Sequence, residues 1–225
     1  MIGKGKSISH GVAALEYDLA KEINGQAVAT EIARHELYGC TGAEMVQEMK
    51  PYHIDFPNVK NNCLRFEVSP SIEESATFTD ADWAELGNDF MQRMGLANHQ
   101  YIIIRHSGTE SKKEQAHLHI LANRVSLSGE LYRDNWIGKK ATEAANAIAK
   151  ERNFVQSQDI GKVNKAEIKE AMDGVLKKMQ GFDFTKFKEE LGKRGFKSGK
   201  PGQAPGNLTA TMSQPEAVRS IRQAR

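Results

Sequence analysis

The sequence predicts an α+β fold with a central antiparallel β-sheet flanked by helices, and three observations lead to this prediction. Strand-like and amphipathic helical segments alternate irregularly, unlike the regular alternation of a parallel α/β fold. The runs YIIIR and AHLHILANRV, within residues 99–125, are joined by a polar loop and therefore predict an antiparallel hairpin. The chain of 225 residues is long enough for one substantial core with appendages.

The N-terminal region predicts a strand followed by a helix. MIGKGKSI is strand-like, and its GKGKS lacks the glycine spacing of a phosphate-binding loop. The segment SHGVAALEYDLAKEI then predicts a helix with Ser9 as its N-cap. Its larger apolar residues fall on one face: Val12, Leu15, Leu19 and Ile23. Tyr17 projects from nearly the opposite side, so packing among the leucines does not explain this tyrosine.

The middle region predicts two strands and two helices. AVATEIARHEL is a strand, TGAEMVQEMKPY is a helix that ends near Pro51, and NNCLRFEVSP is an alternating strand. IEESATF predicts a polar loop, after which Thr79 or Asp80 caps the helix DADWAELGNDFMQRMGL. The apolar stripe of this helix is typical of core packing and consists of Trp83, Leu86, Phe90 and Met94.

The C-terminal region predicts three helices and a tail. The helices are GKKATEAANAIAKERN, NKAEIKEAMDGVLKKMQ and FTKFKEELGKRG, the last ending at Gly195. From Lys197 onward Gly, Pro, Ser, Gln and Thr dominate. The predicted organisation is a domain at residues 1–155, a helical appendage at 156–196 and a flexible linker or tail at 197–225. The charged, uncapped end of this tail suggests truncation from a longer protein.

Composition and charge exclude some classes of protein. No apolar run approaches membrane-spanning length, and the N-terminus lacks the apolar region of a signal peptide. Cys40 and Cys63 form no metal-type pair and are too few for a disulfide framework, which suits a reducing cytoplasm. Residues 1–128 carry 12 Lys and Arg against 17 Asp and Glu, whereas residues 129–225 carry 19 against 12. If the partner is a nucleic acid, we expect the C-terminal half to supply most of the attraction to phosphate.

Three histidines are predicted to converge at one end of the hairpin. His106 ends the first strand, whereas His117 and His119 share one face of the second because strand side chains alternate. Antiparallel pairing brings the first histidine opposite the other two. Three imidazoles that leave coordination positions open are typical of a catalytic metal site. The alternative is a set of ordinary polar residues on a solvated strand face, and the third histidine, from the neighbouring strand, favours the metal site.

Several motifs together carry a family resemblance. They are GKGxxxxxGVAALEYxLxK, a strand ending in VSP, FTDADWAELGNDFMQRMGLANHQYIIIRH and HLHILANRVSLSGELYRDN. In this combination and order the chain resembles the conjugative relaxases, the mobilisation nucleases of the HUH endonuclease superfamily, from residue 1 to about 155 and more loosely to about 197. The resemblance implies the HUH relaxase fold. It also implies metal-assisted, site- and strand-specific nicking of a plasmid or mobile-element transfer origin, through a tyrosine that becomes linked to the 5′ phosphate and so initiates conjugative transfer.

The resemblance implies roles for particular residues. His106, His117 and His119 resemble the metal triad, and the expected cofactor is a divalent metal, Mg²⁺ or Mn²⁺. Tyr17 resembles the nucleophile. Because an ordinary tyrosine hydroxyl has a pKa of about 10, it requires a nearby base or cation, for which His10 and the metal are the candidates.

One departure from the family pattern concerns a carboxylate. Many relatives place an Asp two residues after the first histidine, where this chain has Gly108, and Glu110 or Glu114 are candidates to replace it. Tyr38 and Tyr52 are rival candidates for the nucleophile. The missing Asp keeps open a DNA-binding module with a decayed, non-catalytic site. A rolling-circle replication initiator, which shares the metal and tyrosine chemistry, is the other alternative.

The expected partner is single-stranded origin DNA. The candidate DNA-binding residues follow the histidines: Asn123, Arg124, Tyr132, Trp136, Lys139 and Lys140. The first two could instead support the histidines, and the other four could instead form an ordinary solvated helix start. The resemblance also implies accessory mobilisation proteins and a type IV secretion coupling protein as partners, in the bacterial cytoplasm and without a membrane span.

Overall fold

The computed structural model describes residues 1–108, 115–198 and 208–210. The chain divides into two compact units, Met1–Gln156 and Ser157–Arg225. Among the described residues, no helix is both long and apolar enough to cross a membrane.

The first unit is built on one five-stranded sheet with the strand order β1-β5-β7-β6-β4. Every neighbouring pair in this sheet is antiparallel, which confirms the predicted fold class and the predicted hairpin. Its elements are, in chain order, β1 (Ile2–Ile8), α1 (Gly11–Leu19), β2 (Glu22–Ile23), β3 (Gln26–Ala27), β4 (Ala29–His35), α2 (Gly42–Met49), a 3-10 turn (Lys50–His53), β5 (Cys63–Ser69), α3 (Ile72–Ser75), α4 (Asp80–Arg93), β6 (His99–His106), β7 (His117–Ser126) and α5 (Ile137–Glu151).

The two faces of the sheet are covered by different helices. Strand alternation sends Phe66 and Ile120 to the face that packs against α4 and α5, which we call the α4/α5 face. Cys63 and Leu121 point the other way, to the α1/α2 face, where they pack against α1 and α2. Burying each large apolar side chain contributes about 1.5–3 kcal/mol. His119 lies two residues before Leu121 and therefore also lies on the α1/α2 face.

Capping boxes begin three of the helices. The Thr41 and Thr79 hydroxyls accept hydrogen bonds from backbone N–H groups in the first turns of α2 and α4. Thr79, rather than Asp80, is thus the cap of α4. A third box, formed by Ser71 and Glu74, begins α3, so the prediction of a loop at IEESATF was wrong in part. The hydrogen bonds of this box stabilise one helical turn. The prediction missed this turn because it relied on the spacing of apolar residues, which does not indicate such hydrogen bonds.

Helix α1 is shorter than its predicted range. It begins at Gly11, with His10 rather than Ser9 at the N-cap, and no side chain caps it. Just after the end of the predicted helix, Asn24 and Gly25 adopt positive φ angles of 53° and 75° and turn the chain between β2 and β3. An Asn-Gly pair is a strong hairpin signal, and it overrides the apolar periodicity that extended the predicted helix to Ile23.

The buried side of α1 also differs from its predicted stripe. Gly11 packs against β5, where a Cβ atom would lie 2.6 Å from the Cys63 sulfur. Val12, predicted to be on the apolar stripe, is exposed instead, and the buried residues of the helix are Gly11, Ala14, Leu15 and Asp18. This close contact rotates the helix, and it brings a carboxylate into the interior.

The second unit contains two helices and a two-stranded sheet. Its elements are α6 (Ser157–Leu176), α7 (Phe184–Lys193), β8 (Phe196–Ser198) and β9 (Leu208–Ala210). Its small core consists of Ala171, Val175, Phe187 and Leu191. Helix α6 starts seven residues before the predicted range, and Gly195 has the expected positive φ of 86° after α7. Strands β8 and β9 pair antiparallel within and next to the segment predicted as a flexible linker or tail. The remainder of 197–225 lies outside the described residues.

Candidate active site

The structure brings the three predicted histidines together on the α1/α2 face. His106 is the register partner of His117 across the β6–β7 pair, and His119 follows on the same face. The ring centroids lie 5.4 Å apart for His106 and His117, 4.4 Å for His106 and His119, and 4.9 Å for His117 and His119. One ring nitrogen from each lies within 4.8 Å of the others. We call these three residues the triad.

Hydrogen bonds orient two of the triad rings. His106 Nε2 lies 2.7 Å from the Asp18 carbonyl oxygen, and His117 Nδ1 lies 3.1 Å from the Gln115 carbonyl oxygen. A carbonyl oxygen only accepts, so these two nitrogens donate, and the second nitrogen of each ring keeps its lone pair. Ligating histidines in metal sites are commonly held by such a bond from the non-ligating nitrogen.

Burial favours the neutral form of two triad rings, His106 and His119. Desolvation, together with the neighbouring His106 and His117, lowers the pKa of His119 to about 2. Desolvation also lowers the pKa of His106, although the hydrogen bond to Asp18 opposes the change. A metal binds the neutral imidazole, so protons compete weakly with a cation here. Three imidazole nitrogens that converge on one sheet face thus fit a divalent cation, and an all-nitrogen set suits first-row transition ions better than Mg²⁺.

An unpredicted ion pair supports the triad. Asp18, only 2% exposed, accepts hydrogen bonds from Arg65 on β5, with Nε at 3.1 Å and Nη2 at 2.5 Å from its carboxylate oxygens. Arg65 Nη2 also lies 3.3 Å from His119 Nδ1. The sequence contained a signal for this pair: Asp18 lies three residues after the core residue Leu15, on the buried side of α1, where an isolated carboxylate requires a partner.

Tyr17 lies near the end of α1, next to Asp18, whose carbonyl oxygen contacts His106. Its side chain faces solvent, as its position on the helix predicted. Its side chain is 57% exposed, and Lys21, one turn later, donates a hydrogen bond from Nζ to Oη at 2.7 Å. The same ammonium lies 4.8 Å from the centre of the tyrosine ring. Among the described contacts Lys21, and not the predicted His10, reaches this hydroxyl. Lys21 lies two residues beyond the end of α1, and its spacing of four residues from Tyr17 was the signal in the sequence.

The rival tyrosines have less suitable surroundings. Tyr38 is exposed, and its hydroxyl donates to a Glu36 carboxylate oxygen at 3.1 Å. This hydrogen bond, with the charge of Glu36, raises the pKa of Tyr38. A phenol held by a carboxylate ionises less readily and is a poorer nucleophile. Tyr52 lies in the 3-10 turn after α2.

The structure places the predicted DNA-binding residue Asn123 in the interior. Its side chain is fully buried; Oδ1 accepts hydrogen bonds from His53 Nε2 at 2.7 Å and from the Val125 backbone, and Nδ2 donates to Gln100. A side chain without exposed surface cannot contact DNA, and these bonds lead away from the triad. Arg124 donates to the Tyr132 and Asn61 carbonyls and to Asp134, so its guanidinium holds the chain after β7 together.

The other predicted DNA-binding residues lie at the start of α5, which packs on the α4/α5 face and not on the face of the triad. Trp136 is 80% exposed in a left-handed conformation, and Lys139 is exposed. Lys140 donates to the Arg133 carbonyl and lies over the half-buried Tyr132 ring. The structure therefore does not gather these residues around the triad, because the connection after β7 carries α5 to the opposite side of the sheet.

The candidate carboxylates Glu110 and Glu114 lie outside the described residues, and Gly108 is the last described residue before them. Lys4, Lys6 and Arg65 line a cavity together with His119, and Lys21 contacts Tyr17. All four belong to the half of the chain that carries net negative charge, so the overall charge asymmetry did not indicate them.

Comparisons with known proteins gave one family match and similar solved structures. The family model described as relaxase, MobA/VirD2-like, nuclease domain, matches residues 17–154. Two solved structures of the conjugative relaxase TrwC in complex with oriT DNA align with 99% of this chain and 96% of theirs. The metal-free one has a TM-score of 0.43 at 10% identity, and the metal-bound one 0.41 at 11%. No curated protein matches the chain. The family match covers well over half of the chain and includes every triad residue, and the chain therefore belongs to the MobA/VirD2-like relaxase nuclease family.

Proposed function

We propose that this relaxase nicks one strand of transfer-origin DNA by forming a covalent bond between Tyr17 and the 5′ phosphate. The observation that carries the proposal is the double contact of Asp18, the residue that follows Tyr17. Its carbonyl oxygen binds His106, and its carboxylate binds Arg65, which reaches His119. The end of α1 is thereby tied to the triad, and the tyrosine is held one residue from it.

His106, His117 and His119 are the residues that would hold a divalent cation, with Mn²⁺ favoured over Mg²⁺ by the nitrogen donors. When bound, such a cation polarises the scissile phosphate and stabilises the negative charge of the transition state. Because an imidazole that ligates a metal carries no charge, three such ligands would leave the full positive charge of the ion available for this purpose. The bonds from His106 and His117 to backbone carbonyls keep the rings in place.

The chain's own residues carry the bond changes. The Tyr17 oxygen loses its proton and attacks phosphorus; an Oη–P bond forms, and the bond from phosphorus to the 3′ oxygen breaks. The departing 3′ oxygen takes up a proton. Lys21, already hydrogen-bonded to Oη, supplies a positive charge beside the oxygen as it becomes negative. The aryl phosphodiester preserves the energy of the broken bond, so the reverse reaction can reseal the strand.

Family membership supports the remaining parts of the proposal. The substrate is single-stranded DNA extruded at a plasmid or mobile-element origin, and nicking there initiates conjugative transfer. Accessory mobilisation proteins and a type IV secretion coupling protein act with the relaxase in the bacterial cytoplasm. A rolling-circle initiator would use the same residues at a replication origin.

The test uses Tyr17→Phe and, as a matched control, Tyr38→Phe. Each variant is incubated with Mn²⁺ and with single-stranded oligonucleotides tiled across the DNA that flanks the gene. The label is at the 3′ end, because the fragment joined through its 5′ phosphate retains that end. On a denaturing gel, wild type and Tyr38→Phe should give a covalent protein–DNA band, whereas Tyr17→Phe should give none while binding Mn²⁺ and DNA within about twofold of wild type.

Two results would contradict the proposal. A covalent band from Tyr17→Phe would move the nucleophile to another residue. Absence of a band from wild type on all oligonucleotides, with Mn²⁺ or Mg²⁺, would favour the non-catalytic DNA-binding module.

A further inference from the structure

A basic cavity of about 210 Å³ lies on the sheet beside the triad. Its lining comes entirely from strands β1, β5 and β7 and consists of Lys4, Gly5, Lys6, Arg65, Phe66, Glu67 and His119. The lining includes no residue of α1 or α2, the helices that pack on this face. This part of the α1/α2 face is therefore open to a ligand that approaches the triad.

The strand register explains why the cations gather there. Lys4 is the partner of Glu67 in the β1–β5 pair, and Glu67 is the partner of His119 in the β5–β7 pair. Directly paired residues share a face, so Lys4 lies in line with His119 across three strands. Lys6 is likewise the partner of Arg65, which contacts His119. The row of cations thus leads from the triad toward the sheet edge.

The charges of the cavity do not cancel. Its lining contains three cations, Lys4, Lys6 and Arg65, and one carboxylate, Glu67. Lys4 is bonded to Glu67 at 2.9 Å, and Arg65 is bonded to Asp18. The Lys6 side chain makes no hydrogen bond or ion pair with any residue that the structure describes, and it is exposed. Its ammonium is therefore the group that a negative ligand can bind without breaking an existing contact.

We propose that this cavity binds a backbone phosphate of the single-stranded DNA next to the scissile phosphate, with Lys6 as the principal contact and Lys4 as the second. The inference rests on the function proposed above. A phosphate at the cavity would fix the direction of the strand across β5 and β1 and so hold the scissile phosphate at the triad. Lys4 and Lys6 are in this reading positioning residues; they touch DNA but not the reacting atoms.

The test measures DNA binding without chemistry. Tyr17→Phe protein in EDTA is titrated with a fluorescent single-stranded oligonucleotide at several salt concentrations. Adding Lys6→Met should weaken binding about fivefold or more and should lower the slope of log K on log salt by about 0.7, the value for one phosphate contact on a single strand. Lys6→Arg keeps the charge and should restore both. Lys150→Met, an equal charge change on the exposed side of α5, is the matched control and should change neither.

A methylphosphonate scan locates the phosphate. Each oligonucleotide carries one neutral linkage, at successive positions. At one position adjacent to the nick, the neutral linkage should weaken DNA binding by the protein that retains Lys6 but should cause no further loss in Lys6→Met. If Lys6→Met and Lys150→Met bind alike, with equal salt slopes, the cavity is not a phosphate site, even when wild type forms its covalent band. If wild type gives no covalent band but Lys6→Met binds weakly, the proposed nicking fails and the phosphate contact stands.

Discussion

The β6–β7 hairpin carries buried histidines at both of its ends, and the two groups are built differently. At one end the triad rings face one another. At the other end lies a set that we call the His99 cluster: His35, His53 and His99. There, His99 Nδ1 donates to the Asn123 carbonyl at 2.9 Å, and His35 Nδ1 donates to the His99 carbonyl at 2.9 Å. His53 Nε2 donates to the Asn123 side-chain oxygen at 2.7 Å.

Burial does not distinguish the two groups, but the direction of the ring nitrogens does. Desolvation lowers the pKa of His99 just as it lowers the pKa of His106 and His119. In the His99 cluster the ring nitrogens bond to separate oxygens, so the rings connect β-strands and the turn after α2. In the triad His106 and His117 also donate to separate carbonyl oxygens, but one nitrogen from each of the three rings lies within 4.8 Å of the others. Convergence of the ring nitrogens, and not the presence of an acceptor, is therefore the feature that suits the triad to a ligand.

The largest expected difference between the groups is in metal affinity. His117→Ala should weaken Mn²⁺ binding by more than about 100-fold, because it removes a direct ligand, and loss of a supporting contact alone costs about 10–100-fold. His99→Ala should leave the affinity within about twofold of wild type. Isothermal titration with Mn²⁺ measures both, and equal losses in the two variants would mean that the triad is not the metal site.

The reverse comparison concerns the stability of the fold. His99→Ala should lower the free energy of unfolding by about 2 kcal/mol, since it removes a buried ring and its hydrogen bond to Asn123. Urea unfolding in EDTA provides the measurement. A metal-free His99→Ala protein as stable as wild type would show that the His99 cluster contributes nothing to the fold.

A smaller effect is expected from the ion pair behind the triad. Asp18→Asn removes the charge that binds Arg65 and loosens His119, so Mn²⁺ affinity should fall about tenfold. The matched control is Asp134→Asn, which disrupts the Arg124–Asp134 pair, 2.7 Å long and outside the triad. This control should not change Mn²⁺ affinity, and a similar loss in both variants would indicate a general effect on the fold.

The smallest expected effect is in the pH dependence of stability. An unfolded histidine has a pKa of about 6.5, and folding lowers that of His99. Below pH 6.5 the unfolded chain therefore binds more protons than the folded chain, so stability is complete above this pH and declines as the pH falls. His99→Gln should remove about 1 kcal/mol of the decline between pH 7.5 and 5.5 in EDTA. Wild-type stability that rises on acidification would contradict this assignment.

Local periodicity was sufficient for the triad and the nucleophile candidate. The spacing of His117 and His119 places both on one strand face, and a short hairpin leaves few positions for His106. The helical period likewise turns Tyr17 away from Leu15, and the structure agrees on both points. The fold class followed from the same patterns because alternation and amphipathicity arise from strand and helix geometry itself.

Only the tertiary structure decided which polar residues are buried and which side of the sheet each helix covers. Asn123 lies on β7, whose central position depends on pairing with β5, a strand more than fifty residues earlier. The partners of Asp18 and Lys6 likewise come from strands distant in sequence. Helix α5 could have packed on either face, and its packing on the α4/α5 face separates Lys139 and Lys140 from the triad. Such contacts depend on long-range pairing and packing, which a local pattern of residues does not contain.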